Sequence, residues 1–77
     1  MSEDRIEEYF SAYLETISAT KRLELLRKMH DQITERHLYM MAISTDFRLP
    51  EGDVETKYEA LKNFLLTKER YEGGRLR

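Results

Sequence analysis

No cysteine occurs in the 77 residues of this chain, which excludes disulfides, zinc fingers, iron–sulfur clusters and thiol chemistry. No apolar run approaches a signal-peptide core or the ~20 residues of a membrane span. The sequence therefore predicts a cytoplasmic protein without membrane association. Glycine-rich phosphate loops and HExxH are absent, and neither histidine has a glutamate three residues before it, as a di-iron helix would require. Serines and threonines sit at helix boundaries, where capping alone accounts for them. No catalytic residue, metal or cofactor is expected, and the chain reads as a non-enzyme.

Charge is plentiful but balanced, with 13 basic and 15 acidic residues for a net of −2. Residues 1–19 hold five acids against Arg5, a bias that suits the N-terminal dipole of a first helix. Lys21, Arg27 and Lys28 share a region of the second helix, but Glu24 and Asp31 interrupt it. At a pI of about 5.7 a counterion-release contribution to nucleic-acid binding is small. A nucleic-acid-associated regulator using these residues, with Lys68, Arg70, Arg75 and Arg77, is an alternative reading. Nucleic acid is not the expected partner.

What the chain does have is helical apolar periodicity. Ile6, Tyr9, Phe10, Tyr13 and Ile17 define a first helix over 3–17, with Ser2 as its cap. The stripe then changes phase at Ser18-Ala19-Thr20, predicting a tight turn. With no glycine or proline there, one long helix with two binding faces is the alternative. A second helix is predicted over 21–43, capped by Thr20. In it Leu23, Leu26, His30, Ile33, His37 and Met40 repeat with coiled-coil spacing. Residues 44–52 read as a loop, stopped by Pro50 and Gly52, with Phe47 and Leu49 folding back onto the bundle end. A third helix follows over 53–72, capped by Asp53 and striped by Val54, Tyr58, Leu61 and Leu65. Gly73-Gly74 predicts its stop and 73–77 a flexible tail. The expected fold is all-α and a single domain, 1–77: a small three-helix bundle, or a long hairpin with the N-terminal helix packed on it.

A chain of this length rarely nets more than roughly 3–5 kcal/mol from one core, and its apolar surface exceeds what one core uses. The excess is expected at Leu38, Tyr39, Met40 and Met41, with Leu66 as a satellite. Tyrosine and methionine are enriched at protein interfaces. These residues are accordingly expected to bind a protein partner, most simply a second copy in a homodimer. His30 and His37 lie seven residues apart and are expected as polar seam positions that set register.

The segment Leu26-Arg27-Lys28-Met29-His30-Asp31-Gln32-Ile33 resembles the phospho-accepting helix of one histidine-kinase dimerisation family, whose pattern is roughly Arg-Glu-Leu-His-Asp. The resemblance spans about eight residues and implies His30 as a phospho-acceptor on a dimerising hairpin. The chain is too short to add an ATP-binding domain, and a phospho-acceptor fits poorly in an apolar seam.

Overall fold

In the computed structural model, which describes residues 5–75 and side chains as far as Tyr71, the chain forms four helices. These are α1 (Arg5–Glu15), α2 (Ala19–Met29), α3 (Glu35–Ser44) and α4 (Val54–Arg75). No strand occurs among the described residues. The all-α class is as expected; the helix count is four, because the segment expected as one helix over 21–43 is two.

The cause of that break is local and visible in the residues. Thr34 adopts extended backbone (φ −116, ψ 169) and its hydroxyl accepts the His37 N–H. The His37 Nδ1 in turn accepts the Thr34 N–H at 3.2 Å, closing a reciprocal capping box. Ile33 precedes the cap and Leu38 lies one residue beyond the box. Those are the two positions of a hydrophobic staple, and both side chains are buried in the core. Burial supplies the larger reason. On an uninterrupted helix turning ~100° per residue, the mean direction of Leu38, Met41 and Ala42 would lie about 140° from that of Leu23, Leu25, Leu26 and Met29. The turn at 30–34 brings both sets onto one core.

The turn between α1 and α2 occurs where the stripe changes phase. Its cap is Ser18, whose Oγ accepts the Lys21 N–H at 3.2 Å, two residues before the expected Thr20. Arg22 Nε donates to the Thr16 carbonyl at 3.1 Å and ties the turn down. Ile17, expected to end the first stripe, falls beyond the helix and is exposed. The expected Ser2 cap lies outside the described residues.

α3 ends in a Schellman motif. The Asp46 N–H donates to the Ile43 carbonyl at 3.0 Å and the Phe47 N–H to the Ala42 carbonyl at 2.8 Å. Asp46 occupies the left-handed position, φ 60, where glycine is commonest. The chain then turns back as expected. Phe47 stacks on Phe64 of α4 with centroids 4.4 Å apart, and Leu49 packs against the core.

Asp53 caps α4 as expected, its Oδ1 accepting the Thr56 N–H at 2.9 Å. That hydrogen bond holds the Asp53 carboxyl below the usual carboxylate range. Gly73-Gly74 does not stop the helix, which continues to Arg75. Glycine weakens a helix by about 1 kcal/mol per residue without forbidding its geometry.

Each helix packs on two others, in the cyclic order α1, α2, α4, α3. Among the described residues α1 and α4 lie across the ring and do not pack on each other. The core is Tyr13, the α2 residues Leu23, Leu25, Leu26 and Met29, then Ile33, Leu38, Met41, Tyr58, Leu61 and Leu65. A radius of gyration of 12.3 Å is close to the ~11.5 Å of a compact chain of this length.

Candidate protein-interaction surface

α3 carries apolar side chains on opposite faces. Its inner face places Leu38 and Met41 at 0% exposure, with Ala42 beside them. Its outer face leaves Tyr39 51%, Met40 47% and Ile43 71% exposed. Arg36, also exposed, precedes them by three, four and seven residues, so the four side chains form one stripe along the outer face.

This divides the residues expected at the interface. Tyr39 and Met40 lie on the surface. Leu38 and Met41 are core residues, because the break at 30–34 rotates them inward. Leu66 is partly buried and packs against the core, so it is no satellite of the patch. Ile43, outside the residues expected at the interface, is the most exposed apolar member of the outer stripe. The signal that finds it is the capping box: once a new helix starts at Thr34, residues three to four apart from Tyr39 and Met40 follow directly.

Two grooves flank the stripe. One, of about 680 Å³, runs between α3 and the following loop and is lined by the apolar Tyr39, Ala42, Ile43, Phe47 and Leu49 together with the charged Asp46, Arg48 and Glu51. The other, of about 420 Å³, lies between α1 and the start of α3, with Phe10, His37 and Met40 on its walls. α3 thus stands as a ridge between two channels.

Buried polar groups hold this ridge in place. The Thr45 hydroxyl donates to the Met41 carbonyl at 2.6 Å, so the Tyr13 hydroxyl, 2.6 Å from Thr45 Oγ1, must donate to it. This two-step chain links α1 to the end of α3. Burial pushes the Tyr13 phenol above its ordinary range. Lys57 of α4 is buried, and its ammonium donates to Glu35 Oε2 at 2.9 Å and to the Gly52 carbonyl. The Glu35 hydrogen bond raises the Lys57 pKa, keeping it a cation clamped between α3 and the loop. Among the described residues every fully buried side-chain nitrogen and oxygen has a hydrogen-bond partner.

The two histidines do not share a seam. His30 follows the last residue of α2, exposed, with Nε2 3.2 Å from both carboxylate oxygens of Glu55 and its ring stacked 4.0 Å from Tyr58. It is a helix terminus, not the middle of a continuous helix, which removes the setting of the phospho-accepting resemblance. His37 sits at the start of α3. Its Nδ1 is occupied by the cap, so in the neutral ring the proton lies on Nε2, which faces Glu7 at 4.0 Å. Phe10 meets the ring edge-on at 4.9 Å. Each histidine is held by partners in its own chain, because the turn at 30–34 separates them.

Glu24 lies within 4 Å of both Lys21 (3.7 Å) and Lys28 (3.9 Å), which breaks up the basic cluster on α2. Among the described residues no group of three or more His, Asp or Glu side chains could hold a metal ion. No described helix is long and apolar enough to cross a membrane.

Searches against protein-family models, curated proteins and solved structures each found no match to this chain.

Proposed function

We propose that this protein is a non-enzymatic helical interaction module that self-associates through the outer face of α3 and acts as a small regulatory or adaptor protein. The observation that carries this reading is the two-sided helix. α3 fills the core with Leu38 and Met41 and still presents Tyr39, Met40 and Ile43 to solvent as one stripe. Contiguous exposed apolar surface on a small protein usually marks a partner site. The stripe also stands on a rigid support: the Thr34 cap, the Schellman turn, the Tyr13–Thr45 bond and the Lys57 clamp all hold α3. A preorganised surface loses little conformational entropy on binding.

The reading is tested by light scattering coupled to gel filtration across a concentration series. A contact confined to a helix about 15 Å long is small, so a dimer is expected at roughly 100 µM and above. Ile43→Glu is expected to return the protein to monomer with its thermal unfolding unchanged. A wild-type protein that stays monomeric throughout would sink self-association.

A further inference from the structure

Resting on that reading, we infer that the partner copy lies antiparallel, with α3 against α3 about a two-fold axis near residue 41. Three features of the outer stripe point to this arrangement. The stripe begins at Arg36, in the first turn of α3, and Asp46, of opposite charge, stands two residues past the end of the helix, both exposed. Its centre is apolar. And the pairs Arg36/Asp46 and Tyr39/Ile43 are each symmetric about the same point in the sequence. Turning one copy of α3 end for end therefore sets each Arg36 against the other copy's Asp46, and each Tyr39 against the other's Ile43, in a single register. Met40 falls beside the axis and meets its own counterpart.

A parallel arrangement gives the opposite result, placing Arg36 on Arg36 and Asp46 on Asp46. Like charges in direct contact disfavour it. The groove beside the ridge supports the antiparallel geometry independently. Ile43 projects from the wall of a channel that Tyr39, Ala42, Phe47 and Leu49 also line. Because projection and channel lie side by side on one surface, a two-fold axis lets each copy fill the other's channel, as an isologous contact requires. A heterologous contact between this ridge and some other part of the chain would leave one ridge uncovered and would not close.

The absence of native cysteine makes the register directly readable by disulfide trapping, since a bridge needs Cα atoms about 4.4–6.8 Å apart. The variants are Met40→Cys, Arg36→Cys and Asp46→Cys, each checked for helical content, and oxidised near 100 µM, about where the dimer is expected. Met40→Cys is expected to link to itself. Arg36→Cys alone is not, because in the antiparallel pair its two copies sit roughly 15 Å apart along the axis. Mixing Arg36→Cys with Asp46→Cys is expected to give the mixed dimer. Should Asp46→Cys fail to fold at its left-handed position, mixing Tyr39→Cys with Ile43→Cys reads the same register. Efficient self-linking of Arg36→Cys overturns the antiparallel register. A dimer in which none of these positions links overturns the α3 contact. In both cases self-association itself survives, whereas a monomer at every concentration removes the underlying reading as well.

Discussion

The hydroxyls of Tyr13 and Thr45 lie 2.6 Å apart in the core, 32 residues distant in sequence, and the Thr45 hydroxyl passes the chain on to the Met41 carbonyl. The direction of donation is fixed by that last bond, since a threonine hydroxyl has one proton to give. Removing either partner has unequal consequences. Tyr13→Phe leaves a threonine oxygen short of one donor but still hydrogen-bonded. Thr45→Val leaves a buried phenol with no acceptor, so it is expected to cost more, about 1–3 kcal/mol against ~1 kcal/mol. Urea denaturation of both variants and the double variant checks this. Additive effects would show that the two hydroxyls are not coupled.

The outer and inner faces of α3 should respond to substitution in opposite ways. Leu38→Ala empties a fully buried position and is expected to lower stability by about 2–5 kcal/mol. Met40→Lys acts on exposed surface and is expected to change stability by less than about 0.5 kcal/mol while weakening self-association. Thermal melts and sedimentation of the two variants separate the faces.

Two backbone positions call for opposite substitutions. Gly52 has φ +142, and a Cβ there would lie 3.0 Å from the Thr56 Cβ and Cγ2. Gly52→Ala is therefore expected to destabilise by about 1–3 kcal/mol. Asp46 holds φ 60, a conformation glycine adopts freely, so Asp46→Gly is expected to stabilise by about 0.5–1 kcal/mol. Denaturant midpoints decide both signs.

Alkaline pH should unfold the protein earlier than exposed groups alone would suggest. Desolvation raises the phenols of Tyr13 and Tyr58 above their ordinary 10.0, and the Glu35 hydrogen bond raises Lys57 above 10.5. In all three the folded state holds its proton more tightly than the unfolded chain. Their contribution is thus complete below pH 10 and is lost as pH rises through the folded values. Urea midpoints should fall between pH 9 and pH 12, and Lys57→Met should flatten the part of that fall due to Lys57. A flat profile over this range would contradict the burial of the two phenols and the Lys57–Glu35 hydrogen bond.

Thr34→Ala tests the break in the chain. The hydroxyl caps α3 and the His37 ring returns a bond to the same residue, so its loss is expected to cost about 1 kcal/mol. His37→Ala should cost a similar amount, and the two losses should not add, because they remove one reciprocal unit.

Local chemistry determined much of this molecule. The apolar spacing of α1 and α4, the phase change at Ser18-Ala19-Thr20, the Asp53 cap and the turn through Pro50 and Gly52 were all legible, because each depends on residues within a few positions of one another. So was the presence of surplus apolar residues around 38–43. Which of them face outward was not legible. Leu23, Leu26, His30, Ile33, His37 and Met40 satisfy heptad spacing without a flaw, and nothing in periodicity alone disqualifies a single long helix. The Thr34–His37 box offers the competing local signal, with histidine where glutamate or glutamine is usual. What decides between them is the core shared with α1 and α4. Only when Tyr13, Leu61 and Leu65 occupy its centre does it become favourable to interrupt one helix and turn Leu38 and Met41 inward. That rotation exposes Tyr39, Met40 and Ile43 and separates the histidines, which is why the exposed face of α3 belongs to the tertiary structure and not to the pattern.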